Sequence, residues 1–249
     1  MLSQLTKIVK KRIDSRLLTI SVLVFSLGLC NTVLAEYRPP SDQKPPTTRT
    51  TGTVTRGGCR GDKQTTLTAL APQKHTGQTV SSHPTFAWFV PDAESYPLEF
   101  RLYRYEASGN RALMQKIQLQ SQSGIMSFSL PPDTPPLGTG QRYHWQVVLF
   151  CNPNRPSSAL ATGADLDVVA IPHDLASKLA TTNNPQQRVN LYASAGLWYD
   201  ALSTALTDTM QQRLELELLE DLAKLEDTNT TVNTVEYSSR IRPIIELER

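Results

Sequence analysis

The chain predicts a β-rich plus α fold, an immunoglobulin- or fibronectin-like antiparallel β-sandwich followed by a C-terminal helical hairpin. Three observations carry this. Apolar residues alternate with period two from Thr65 to about Ile171, turn clusters separate the runs at sandwich spacing, and the period changes to 3.6 after Pro172. With 249 residues, 39% of them hydrophobic, the chain has enough apolar surface for a buried core, so wholesale disorder is excluded.

The N-terminus comes first. Met1–Arg16 is polar and basic, Leu17–Leu29 is an uncharged apolar run of 13 residues, and Val33-Leu34-Ala35 puts short side chains at the −3 and −1 positions of a cleavage site. This is the layout of a secretory signal peptide cut between Ala35 and Glu36. A spanning helix needs about 20 apolar residues, so no transmembrane span is expected after cleavage, and the mature protein is periplasmic or extracellular. Leu27–Cys30 is a poor lipobox because bulky Leu29 precedes Cys30, which ranks lipidation below simple export. The first 35 residues hold five Lys or Arg and one acid, so 20 basic and 22 acidic residues remain, a net charge of −2. A folded part without basic excess argues against a nucleic-acid partner.

Cleavage removes Cys30 and leaves Cys59 and Cys151. In an oxidising compartment the simplest reading of two cysteines is one disulfide. Closing a loop of roughly 90 residues stabilises a fold by about 4–5 kcal/mol in the chain-entropy account. Reactive thiols are the alternative, but neither cysteine lies in a C-x-x-C motif.

The mature chain divides into a leader (36–55), a disulfide-linked sandwich (56–171), a helical region (172–226) and a linker with tail (227–249). Glu36–Thr55 carries four prolines and many threonines and is expected to be disordered. Arg56–Gly61 is glycine-rich, but no G-K-[S/T] closes it, so its glycines are read as a tight turn beside Cys59. Seven strands are expected, at Thr66–Leu70 and around Phe86–Val90, Leu98–Leu102, Leu113–Leu119, Met126–Leu130, Tyr143–Leu149 and Leu166–Ala170. Tyr143 begins a strand after the Gly138/Gly140 turn, as in sandwiches whose strand-start tyrosine bonds back to the preceding loop. Trp88 and Trp145 alternate with other aromatics and are read as core.

Helices follow. His173–Ala180 is short, and Asn184-Pro185-Gln186-Gln187 supplies a cap, a first-turn proline and a third-position Gln. Val189, Tyr192, Ala193 and Gly196 share a face, and Trp198, Ala201, Leu202 and Ala205 continue at helical spacing. Asp208 caps a helix whose stripe is Met210, Leu214, Leu218, Leu222 and Leu225, with Glu220 placed to pair with Lys224. Tyr192, Gly196 and Ala201 fall at the offsets of one tetratricopeptide hairpin, but a single unit makes no solenoid groove. The tail 234–249 is apolar among charges and reads as a strand or a docking segment.

Thr55–Arg60 (TRGGCR), His83–Phe86 (HPTF), Leu130-Pro131, Tyr143–Cys151 (YHWQVVLFC) and Ala195–Leu202 (AGLWYDAL) occur in this order. Together with the signal peptide they resemble a domain-of-unknown-function family of exported cyanobacterial proteins, over roughly Arg56–Leu225. The resemblance supports export, the Cys59–Cys151 bridge and a sandwich followed by helices. It brings no activity and no catalytic residues.

Chemistry is sparse. None of His75, His83, His144 and His173 has a further His, Cys or acid at metal-ligand spacing, so no metal and no cofactor are expected. Asp165 and Asp167 share a strand face without the oxygen-rich loop calcium needs, and are read as an exposed acidic face. No G-x-S-x-G, S-x-x-K or H-E-x-x-H occurs, so no catalytic residue is assigned. Three functions are weighed. The first is a non-enzymatic binding or assembly module of the cell envelope with a protein partner. The second is a structural envelope component that self-associates through the Met210–Leu225 stripe. The third is a hydrolase with a loop-assembled site and His83 or His144 as base.

Overall fold

Alternation and aromatic content build two sheets. In the computed structural model, which describes residues 36–42, 44–47, 58–60, 65–152, 154–207, 212–227 and 237–249, eight strands are present. They are β1 (Thr68–Ala69), β2 (Gly77–Thr79), β3 (Thr85–Val90), β4 (Pro97–Tyr105), β5 (Arg111–Gln120), β6 (Gly124–Ser129), β7 (Arg142–Leu149) and β8 (Leu160–Val168). One sheet has the order β1-β3-β6 and the other β2-β8-β7-β4-β5. Each period-two run coincides with a strand. β2, three residues with a single short hydrophobic neighbour, has no alternation to read, and it pairs parallel with β8, so the sheets are not wholly antiparallel as expected.

The inward aromatics meet between the sheets. Phe86 of β3 lies 5.0 Å from Phe100 of β4 and 5.3 Å from Trp145 of β7, and Phe100 lies 4.8 Å from Phe128 of β6, all centroid to centroid. Such tilted aromatic pairs contribute about 0.5–1.5 kcal/mol each beyond the area they bury. Tyr143 Oη accepts a hydrogen bond from the Gly138 amide at 2.8 Å, which pins the loop that leads into β7. Cys59 and Cys151 are joined by a disulfide, with Cα atoms 5.1 Å apart.

Five described helices follow: α1 (His173–Ala180), α2 (Pro185–Ser194), α3 (Trp198–Thr207), α4 (Gln212–Asp227) and α5 (Ser238–Leu247). Asn184 caps α2 by accepting from the Gln187 amide at 3.0 Å. The face expected to run on through Gly196 breaks there, because Gly196 adopts φ 78° and a Cβ at that point would stand 2.9 Å from Pro40. α3 packs on β2 and β3. Trp198 Nε1 donates to the Leu70 carbonyl at 3.0 Å, and Trp145 Nε1 donates to Tyr199 Oη at 2.8 Å.

Leu214, Leu218 and Leu222 of α4 are buried in the same core as both sheets. That stripe is therefore consumed inside the chain rather than offered to a second copy; Met210 and the Asp208 cap lie outside the described residues. Lys224 pairs with Asp221 at 3.1 Å, while Glu220 takes Arg249, so the expected Glu220–Lys224 pair is replaced by contacts within α4 and from the C-terminus. The tail forms α5, not a strand, and buries Ile241, Ile244 and Ile245.

The leader departs most from expectation. Tyr37 is fully buried, edge-on to Trp198 at 5.0 Å, with its hydroxyl 2.9 Å from His75 Nε2. Its amide donates to Asp221, and the Arg38 amide donates to the Ala193 carbonyl. Residues 36–42 and 44–47 are thus ordered against the body, because one aromatic anchor and the backbone bonds around it offset the ordering entropy that composition alone could not. The signal segment through Ala35, residues 48–57 and the linker 228–236 lie outside the described residues. Replacing Tyr37 by Ala is expected to lower unfolding free energy by about 3–5 kcal/mol. Tyr37→Phe, which removes only the bond to His75, should cost about 1–2 kcal/mol. Denaturant midpoints of the two variants check this, and a Tyr37→Phe midpoint equal to that of the unsubstituted protein would refute an anchoring hydroxyl.

Candidate functional site

The polar side chains gather on the outer face of the five-stranded sheet. Register puts His144 of β7 opposite Asp165 of β8 and opposite Tyr103 of β4, and Arg142 opposite Asp167. Period two sends all of them to one face, away from Trp145 and Leu166.

His144 Nδ1 donates to Asp165 Oδ1 at 2.8 Å, and both side chains are almost fully buried. Tyr105 Oη donates to the same oxygen at 3.0 Å, and the Thr47 amide to Oδ2 at 2.7 Å. Burial alone would push the Asp165 carboxyl up, but the His144 bond and these further donors bring it below its ordinary value. Asp167 receives both Arg142 Nε and Nη2 at 2.7 Å, a bidentate pair, while Arg142 Nη1 donates to Pro45 O and Thr47 Oγ1. The pair of acids read as an exposed face is therefore taken up in bonds, with Asp165 buried and Asp167 half-buried, because residues 44–47 cross over it. Tyr199 Oη donates to the Asp165 carbonyl at 3.2 Å, which connects this face to α3.

A second cluster sits nearer β5. Glu99 of β4 accepts from Arg101 Nε at 2.8 Å and Gln118 Nε2 at 2.8 Å, and pairs with Lys116 at 3.0 Å. Burial would raise this carboxyl, yet the bonds from Arg101, Gln118 and Lys116 hold it down at about 2.

The remaining histidines stand apart from one another. His83 Nδ1 lies 3.1 Å from Ser82 Oγ and its Nε2 3.0 Å from the Thr134 carbonyl, so its ring fastens two loops. Burial lowers the pKa of His75 to about 4 beside Tyr37. His83 and His144 share no hydrogen bond among the described residues, and no described group of three His, Cys, Asp or Glu could hold a metal ion. In the helical layer the Asp200 carboxyl accepts from the Val80 amide and burial raises it to about 6; burial together with Glu248 raises Glu215 to about 7. Sequence reasoning missed the Tyr37–His75 contact and the strap at Pro45–Thr47. Tyr37 was the one available signal, a lone large aromatic in a proline-rich leader.

The free edge of this sheet is β5. It is ten residues long, one side is paired to β4, and no described strand pairs with the other. Leu113 is 53% exposed and Met114 36%. Among the described residues no helix is long and apolar enough to cross a membrane.

A family model described as Domain of Unknown Function (DUF928) matches residues 51–235. No curated protein matches. Among solved structures, the chain is similar to the crystal structure of Bacteroides uniformis beta-glucuronidase at 19% identity and a TM-score of 0.21. That match covers 35% of this chain and 11% of the other, so the chain spans about a tenth of its length, and a likeness of this size carries no argument.

Asp165→Ala leaves His144, Tyr105 and the Thr47 amide short of a partner and is expected to cost about 3–5 kcal/mol. Residues 44–47 should be released with it, read as faster proteolysis at Lys44; unchanged cleavage would refute the strap. Glu99 contributes stability that is present above its unfolded value of 4.5 and is lost as pH falls through about 2. The stability difference between the protein and its Glu99→Gln variant, of order 2 kcal/mol at pH 7, should shrink between pH 4.5 and pH 2 in denaturant titrations.

Proposed function

The chain belongs to the DUF928 family, and from that premise and the geometry we propose that it is an exported, non-enzymatic binding or assembly module of the cell envelope. Its body is read as an immunoglobulin-like sandwich carrying a helical layer, and recognition runs along β5. One observation carries this reading: the ten-residue edge of β5, whose outer side pairs with no described strand, with Leu113 and Met114 exposed beside it. An open edge presents unpaired amides and carbonyls, the surface through which sheet proteins bind extended segments.

The polar clusters support the same reading. Asp165 spends its carboxylate on His144, Tyr105 and the Thr47 amide, and His144 is 1% exposed. A general base has to come within hydrogen-bond reach of a substrate proton, and a sealed ring serves cohesion instead. The signal-peptide layout and the Cys59–Cys151 disulfide support export.

A photo-crosslinking residue at Leu113, expressed in intact cells, should give a covalent protein adduct of defined mass. The same residue at Asp174, exposed on α1, should give none. No adduct at Leu113, or the same products at both positions, would overturn the reading.

A further inference from the structure

We propose that the occupant of the β5 edge is β5 of a second copy, paired antiparallel about Gln118 to make one continuous ten-stranded sheet. This rests on the reading that β5 is the recognition edge.

The backbone defines which groups are free. The Ser121 amide donates to Tyr96 O, so Ser121 forms a hydrogen-bonded pair with β4. Alternation along an antiparallel ladder then turns Leu119, Ile117 and Gln115 toward β4, opposite Leu98, Phe100 and Leu102. Lys116, Gln118 and Gln120 turn their N–H and C=O groups to the open side. The register is regular from Pro97↔Gln120 to Leu102↔Gln115 and is broken only beyond, between Leu102 and Tyr103. An unbroken stretch therefore lies at 115–120.

Two copies use that stretch symmetrically when Gln118 faces itself. Lys116 then lies opposite Gln120, Ile117 opposite Leu119, and the three open residues form about six interchain backbone bonds. Registers centred elsewhere are poorer: one centred on Lys116 opposes two ammonium groups, and one centred on Ile117 brings the irregular end into the ladder.

Charge permits the chosen register. Lys116 pairs with Glu99 at 3.0 Å and in this register faces the uncharged Gln120, so no like charges meet across the seam. The strand's other ionic residue, Arg111, lies beyond the irregularity with its guanidinium over the Tyr103 ring at 5.5 Å. The apolar side chains of the pairing, Ile117 and Leu119, are only partly buried against the core, and a second strand covers them.

Light scattering of the purified protein over a concentration series tests this. The parent protein is expected to reach dimer mass. Gln118→Lys and Gln118→Glu each place like charges face to face and should weaken the dimer by about tenfold. An equimolar mixture of the two should recover it as a heterodimer. Because Gln118 also bonds Glu99, Gln120→Glu provides a second check, and it should tighten the dimer severalfold by facing Lys116. A parent protein that stays monomeric at high concentration, a dimer indifferent to Gln118→Lys, or a mixture that fails to recover overturns the pairing. A monomer that nonetheless gives a foreign adduct at Leu113 overturns self-pairing alone and leaves the binding reading standing; loss of both results removes both.

Discussion

One residue, Asp165, ties together parts of the chain that are far apart in sequence. Its carboxylate gathers His144 of β7, Tyr105 of β4 and the amide of Thr47, and its carbonyl takes the hydroxyl of Tyr199 on α3, which in turn receives Trp145. A buried carboxylate is tolerated only when its lone pairs are filled, and here donors come from the N-terminal segment and two strands. The outer face of the sheet, the crossing segment 44–47 and the helical layer are therefore coupled through a single strand position. Gly163, two residues earlier on β8, makes the same region close-packed: a Cβ there would lie 2.1 Å from the Trp145 carbonyl.

That coupling explains which features could be read from the residues and which could not. Strand β5 was legible because one face is more buried than the other and period two records it. Strands β3, β4 and β7 were legible from the large apolar side chains that alternate along them, such as Phe86 and Trp88 or Tyr143 and Trp145. The capped start of α2 was legible because Asn184 and Pro185 act within one turn. β2 was hidden, since Gly-Gln-Thr carries no alternation and its partner β8 lies some eighty residues away. Tyr37 was hidden for a related reason: its burial depends on His75, Trp198 and Asp221, none of them near in sequence. Composition describes what a segment can bury by itself, not what the rest of the chain offers it.

The outer-face acids were half legible. Alternation correctly placed Asp165 and Asp167 on one face and His144 on the outer face of its strand. Whether that face meets water was decided by Pro45–Thr47, which lie about 120 residues before them. The α4 ion pairs followed the same pattern: helical spacing offered Lys224 both Glu220 and Asp221, and Arg249 from the C-terminus drew Glu220 away.

The contrast between the two polar clusters bears on how this sheet meets other chains. At the β7–β8 end the charges are sealed by the chain's own segment, and β2 at that edge is three residues long with α3 packed against it. At the β4–β5 end, Glu99 holds Arg101, Lys116 and Gln118 on the outer face of the sheet, and the Lys116 side chain stays half exposed. A buried carboxylate at Glu99 costs desolvation that an exposed lysine would not require. The ladder between β4 and β5 is regular over 115–120 and is interrupted only beyond, between Leu102 and Tyr103. One edge of the sheet is thus short and packed against α3, whereas no described strand pairs with the other.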